Sequence, residues 1–238
     1  MIALEGRKLV GFEGLIRWNH PTRGLLAPGD FLAVAEQSGQ IIAMSRWVLT
    51  EAIRQSAGWE LACGAATPWI SVNVSAHHLL HGNLAEDVQQ TLKAHHVAPG
   101  RLVLEITEGM AVEDPDAIER LGQLRGLGVR LALDDFGTGY SSLGYLDSLP
   151  IDIIKVDRSF LTTKTAKGGY ALLRGIVALG STLEKQVIVE GVETSSQLAA
   201  IRESGKGLFA QGYLLGRPMP VASTDQLLGL RVEALATA

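Results

Sequence analysis

Five short aliphatic segments share one pattern: alternating positions that are wholly apolar on one side and end in a polar or charged residue on the other. They are Ile70-Ser71-Val72-Asn73, Leu102-Val103-Leu104-Glu105, Leu131-Ala132-Leu133-Asp134-Asp135, Ile153-Ile154-Lys155 and Val187-Ile188-Val189-Glu190. Side chains alternate across a strand, so residues two apart share a face. One face then collects Ser71 and Asn73, Val103 and Glu105, Ala132 and Asp134, Ile153 and Lys155, Ile188 and Glu190. The other face is almost pure Ile, Val and Leu, as parallel strands covered by helices require. If the strands lie side by side, their polar ends gather at one rim. A rim of carboxylates around one lysine repels itself unless a cation sits inside it.

Between these strands the spacing predicts helices, giving the alternation of repeated βα units. The first strand is expected at Leu9–Trp18, with Gly11, Glu13, Leu15 and Arg17 on one face. Helices are expected at Asp30–Gln37, Ile41–Trp59, Leu84–His95, Asp116–Leu127, Tyr170–Leu183 and Ser195–Ser204, and Ser223 or Thr224 is placed to cap a final helix. Asp114 and Pro115 before the fourth of these, and Gly128 after it, are start and stop signals. The last strand is expected at Gly207–Gln211, which makes seven strands with the shortfall at the N-terminus.

A length of 238 residues suits one (β/α)8 TIM-like barrel, which takes about 250. With no linker or composition shift, the whole chain, 1–238, is expected to be one domain. No apolar run reaches the roughly 18 residues of a membrane span, and no signal peptide is visible, so no membrane contact is expected. Cys63 is the only cysteine, which excludes an internal disulfide and suits a reducing cytoplasm. A net charge of −4 argues against polymeric nucleic acid as a partner. An anionic substrate remains compatible if metal ions supply local positive charge.

The candidate ligands are all oxygen donors: Glu13, Asn73, Glu105, Asp134, Asp135 and Glu190. That set suits Mg²⁺ or Mn²⁺ and not zinc, which recruits His or Cys. Asp134 and Asp135 are adjacent, and a backbone turn at the strand end would aim both at one pocket. One could bridge two cations about 3.5–4 Å apart, the arrangement that stabilises both attacking and leaving oxygens of a phosphoryl displacement. Lys155 would then position a water or stabilise developing charge, or act as a counter-ion to the carboxylates. Arg17 suits a phosphate contact or an ion pair with Glu13. Gly137-Thr138-Gly139 reads as a lid loop, or as plain turn chemistry. His77, His78 and His81 read as a solvated helix start, with a zinc pair the alternative. Gln211 has no role on physics alone beyond closing the barrel.

At these residues the chain resembles the EAL-domain cyclic di-GMP phosphodiesterase family, from about Leu9 to Pro220. The matching motifs are Glu13-Gly14-Leu15-Ile16-Arg17-Trp18 with His20-Pro21 and Pro28–Phe31, Asn73-Val74-Ser75-Ala76, and Glu105-Ile106-Thr107-Glu108. They continue through Asp134 to Leu143, Ile154-Lys155-Val156-Asp157-Arg158, Glu190-Gly191-Val192-Glu193-Thr194 and Gln211-Gly212-Tyr213-Leu214. The resemblance implies that Glu13, Asn73, Glu105 and Asp134 hold one Mg²⁺ or Mn²⁺. Asp134 would bridge to a second ion completed by Asp135 and Glu190. It further implies catalytic roles for Lys155, at the attacking water, and Glu190, as base. Arg17 would meet a substrate phosphate, Gln211 a guanine edge, and Glu108 would anchor the lid. The expected reaction opens cyclic di-GMP to the linear dinucleotide pGpG, and relatives of this kind often pair as homodimers through the lid.

Three departures bear on that expectation. Gly14 stands where the signature has alanine, Lys206-Gly207-Leu208-Phe209 is one residue longer than the usual approach to Gln211, and the family's opening strand is read as truncated before Met1-Ile2-Ala3-Leu4, leaving a sheet edge exposed. The alternative function is a non-catalytic cyclic di-GMP sensor, which usually lacks some of these ligands; none is lacking here. A barrel glycosidase is disfavoured because 5% aromatic residues leave few sugar-stacking platforms.

Overall fold

The protein is described here from a computed structural model covering residues 1–112, 114–138, 146–162 and 170–229. The aliphatic segments form a parallel set, β3 (Gly11–Gly14), β6 (Trp69–Asn73), β7 (Leu102–Thr107), β8 (Arg130–Phe136), β9 (Ile153–Val156), β10 (Gln186–Val189) and β11 (Phe209–Ala210). Between β3 and β6 the chain adds a small hairpin of β4 (Trp18–His20) and β5 (Gly24–Leu26) outside the main sheet.

The expected strand Leu9–Trp18 therefore ends at Gly14, and its C-terminal third turns away into β4. Nor is the opening strand lost. Residues Ile2–Ala3 (β1) pair antiparallel with β11 on one side and with β2 (Lys8–Leu9) on the other. Only Val10 separates β2 from β3, so the two are halves of one stave. The Val10 amide donates to Met1 O at 3.0 Å, and its carbonyl accepts from the Trp69 amide at 3.0 Å. The ring thus closes through the chain itself, with eight staves among the described residues, one of them antiparallel. A two-residue strand escapes periodicity analysis because it is shorter than one full alternation; its pairing partners, not its own pattern, define it. The edge that the sequence suggested would lie exposed is covered.

The two faces behave as the alternation dictates. Outward side chains such as Leu104, Ile106, Leu131, Leu133, Ile154 and Val189 are buried under helices including Ile41–Cys63, Pro115–Gly126 and Ala171–Thr182. Each such side chain contributes about 1.5–3 kcal/mol on burial. Inward, Val103, Ala132, Ile153 and Ile188 pack with Met1, Trp69 and Phe209 into a plug across the barrel. The residues two further along from Val103, Ala132, Ile153 and Ile188 lie above that plug, at the C-terminal mouth. The fold is a TIM-like barrel.

Local signals place the helices. Asp114 accepts from the Asp116 amide ahead of Pro115, and Thr194 with Gln197 forms a capping box for Ser195–Ser204. The last helix among the described residues is Val221–Leu227 with Pro220 as its N-cap, so Ser223 and Thr224 lie within it and do not cap it. No helix among the described residues is long and apolar enough to cross a membrane.

Candidate functional site

Lys155 stands at the centre of the mouth. Its ammonium donates to Glu105 Oε2 at 2.7 Å and lies 2.8 Å from both Asp134 Oδ1 and Glu190 Oε1. The latter two contacts are ion pairs without hydrogen-bond alignment. Strand register sets this up, because β7, β8, β9 and β10 are consecutive staves. Burial opposes charge on Lys155, but Glu105, Glu190, Glu13 and Asp134 together outweigh it and raise its pKa well above the usual lysine value. The lysine is therefore a fixed cation and not a base.

The carboxylates outnumber it. Glu105 and Lys155 are each about 1% exposed. Burial first, then its acidic neighbours, push the Glu105 carboxyl up to about 8 despite Lys155. Burial likewise raises Glu190 to about 7, and burial together with Asp134 raises Asp135. Glu13 completes the ring from β3, accepting from Asn73 Nδ2 at 3.1 Å and from Gln211 Nε2.

Asp134 and Asp135 face the same space although they are neighbours in a strand. Asp135 has φ of 52° and β8 carries a register shift between Leu133 and Phe136. A left-handed residue outside glycine is uncommon and costs energy, which Asp tolerates better than most. One oxygen from each of Asp134, Asp135 and Glu190 falls within 4.8 Å of the others. Glu105 Oε1, fully buried, has no hydrogen-bond partner among the described residues. A hard divalent cation answers both features: it satisfies the orphaned oxygen and balances five carboxylates around one lysine. The donors present fit such an ion.

β3 ends three residues before Arg17, so strand alternation does not set the direction of that side chain. Arg17 is exposed, with its guanidinium donating to Ile16 O at 2.8 Å, and it lines the cleft of ≈ 1020 Å³ that opens from the mouth. No ion pair with Glu13 forms. Gln211 reaches the mouth despite the longer approach, because its amide donates to Val189 O at 2.9 Å and continues the β10 register. Gly212 follows, where a Cβ would stand 2.1 Å from the Val192 amide nitrogen. Glu108, 7% exposed, accepts from the Gly137 amide at 3.4 Å. The motif residues 139–143, and with them the rest of the lid reading, lie outside the described residues.

His78 is not a solvated helix residue. It is fully buried, with Nδ1 2.9 Å from Ser45 Oγ and Nε2 2.8 Å from Asp87 Oδ2. Helix position alone cannot reveal this, since the covering side chains come from two other helices.

The sequence reading assigned no role to three residues that also line the cleft: Arg158, Tyr213 and Arg217. Arg158 lies across the end of β10, where a Cβ on Gly191 (φ 63°) would be 2.3 Å from Arg158 Cβ. The Arg217 guanidinium sits 4.6 Å from the Tyr213 ring centre. A basic residue two positions after β9, a strand that ends at the mouth, was the available signal for Arg158.

Fold and site together define an α/β barrel with an acidic, lysine-centred mouth. The family model described as the EAL domain matches residues 1–218, and the chain belongs to that family. Among curated relatives, it is 44% identical over 222 residues to the bifunctional diguanylate cyclase/cyclic di-GMP phosphodiesterase MucR of Pseudomonas aeruginosa, covering 92% of this chain and 32% of that protein. It is 41% identical over 230 residues to the cyclic di-GMP phosphodiesterase NbdA of the same organism, covering 96% of this chain and 29% of that protein. The chain thus spans about a third or less of the length of these relatives. Among solved structures, that of the PaMucR phosphodiesterase in complex with c-di-GMP aligns with a TM-score of 0.86 at 42% identity, over 94% of this chain and 90% of that one.

Proposed function

We propose that this chain hydrolyses cyclic di-GMP to the linear dinucleotide pGpG with the help of Mg²⁺ or Mn²⁺, two ions per site. The observation that carries the reading is the mouth itself, where five carboxylates surround one buried lysine. Membership of the EAL family and the names of MucR and NbdA support the substrate.

In this reading Glu13, Asn73, Glu105 and Asp134 hold the first ion, and Asp134, Asp135 and Glu190 the second. Bound there, the ions supply Lewis acidity to the phosphate and a lowered pKa to water. The protein's own groups do the rest. Lys155, as an ammonium, donates a hydrogen bond to the attacking water and stabilises the charge that develops. Glu190, beside that water, takes its proton. The water oxygen bonds to phosphorus, one bridging P–O bond breaks, and the departing ribose oxygen gains a proton. Arg17 at the rim contacts a phosphate, Gln211 a guanine edge, and Glu108 holds the start of the lid loop through Gly137.

The test is incubation of the purified chain with cyclic di-GMP and Mn²⁺, followed by chromatography of the products. Formation of pGpG that ceases on chelation supports the reading. Nucleotide binding with no product would replace it by that of a sensor domain.

A further inference from the structure

Glu13 is carried by β3, which ladders with β6. The outward side chain of a strand helps to fix its height and tilt against the helix layer. In β3 that side chain is Phe12, directly before Glu13 and on the opposite face.

Phe12 packs on Trp59 of the helix Ile41–Cys63, with ring centres 5.0 Å apart at 50°. Trp59 is 2% exposed, and its indole N–H donates to Asp225 Oδ1 at 2.9 Å. Gln55, one helical turn earlier, donates to the same oxygen at 3.0 Å. Asp225 is 4% exposed, on the helix Val221–Leu227, and makes no ion pair among the described residues. Burying a carboxylate against two neutral donors is costly. An apolar residue would hold the helix at less cost, but it would not orient an indole. The carboxylate fixes the rotamer of Trp59, and so the surface on which Phe12 rests.

The geometry points to Asp225 as a positioning residue for Glu13, acting through Trp59 and Phe12. It sets the height of β3 and thereby the reach of the Glu13 carboxylate into the mouth. The inference rests on the reading of that mouth as a divalent-cation site. Asp225 itself touches neither ion nor substrate.

Mn²⁺ binding to the 238-residue chain, measured by titration calorimetry without nucleotide, tests it. Asp225→Ala should weaken binding by about tenfold or more, the range found for groups that orient metal ligands. Asp225→Asn keeps an oxygen acceptor at the same place and should bind like the parent. Leu92→Ala, in the outer core on the helix Leu84–His95, serves as the destabilised control; it should melt lower yet bind Mn²⁺ normally. Should Asp225→Ala fail to fold, Trp59→Phe removes only the indole anchor and should weaken binding in the same direction. A folded Asp225→Ala or Trp59→Phe chain with parental affinity overturns the inference, as does an equal loss in Leu92→Ala. If the parent chain itself takes up no Mn²⁺, the cation-site reading fails first and the positioning role with it.

Discussion

Lys155 Nζ and Glu105 Oε2 lie 2.7 Å apart with both side chains about 1% exposed, although 50 residues separate them in the chain. Breaking such a pair from one side strands a charge in the barrel. Above pH 8, where Glu105 is ionised, Lys155→Met should therefore destabilise the metal-free protein by about 3–5 kcal/mol, read from urea unfolding in chelator. Part of that loss should return in saturating Mn²⁺, because cations replace the missing positive charge. A variant as stable as the parent in chelator would show that the carboxylates do not depend on the lysine.

The raised carboxyl groups give the metal-free protein a pH dependence with a definite sign. Glu105 and Glu190 are held by burial at about 8 and about 7, above the 4.5 of an unburied glutamate. Each folded carboxyl binds its proton more tightly than the unfolded one. That contribution to stability is complete below about pH 4.5 and is lost as pH rises through 7 and 8. In chelator the melting temperature should fall across this window. Saturating Mn²⁺ should flatten the fall, since the ionised forms then have a partner. A melting temperature in chelator that is level from pH 5 to 8 would contradict the burial of these groups in their charged form.

Asp134→Asn exchanges a ligand oxygen for an amide at nearly constant shape. Hydrolysis of cyclic di-GMP should drop by at least about 100-fold, with urea unfolding in chelator no less stable than the parent, because one repelling charge has gone. Full activity would remove Asp134 from the proposed ion site.

Asp135 separates backbone from chemistry. At φ 52°, Asn is tolerated and a β-branched residue is not. Asp135→Asn should keep the parental stability and lose turnover. Asp135→Val should lose turnover and about 1–2 kcal/mol besides, measured by urea unfolding. Equal stability of the two would mean that the left-handed turn relaxes on substitution.

The His78 cluster bears on stability alone. His78→Phe fills the space but leaves Ser45 and Asp87 without the ring nitrogens they face. The expected cost is about 1–3 kcal/mol, seen as a lower urea midpoint at neutral pH. Asp87 makes the effect larger above its own pKa than below it. Burial opposes that group's ionisation, but Arg46 and His78 more than offset this and hold its pKa low, so their stabilisation is present at neutral pH and fades as pH falls through the lowered value. An unchanged midpoint would mean that water serves both groups equally well.

Much of the barrel could be read from the chain alone because alternation is a local property. Val103 with Glu105, Ala132 with Asp134, Ile153 with Lys155 and Ile188 with Glu190 each share a face by geometry that needs no other part of the molecule. The sequence therefore determined the greasy outer layer, the inner plug and the oxygen-rich character of the mouth. Tertiary structure alone decided the rest. It seated Ile2–Ala3 as the closing stave, ended β3 before Arg17, buried His78 under two other helices and brought Asp225 to Trp59 across 166 residues. These outcomes depend on which segments meet after long loops close, and no short window of residues carries that information.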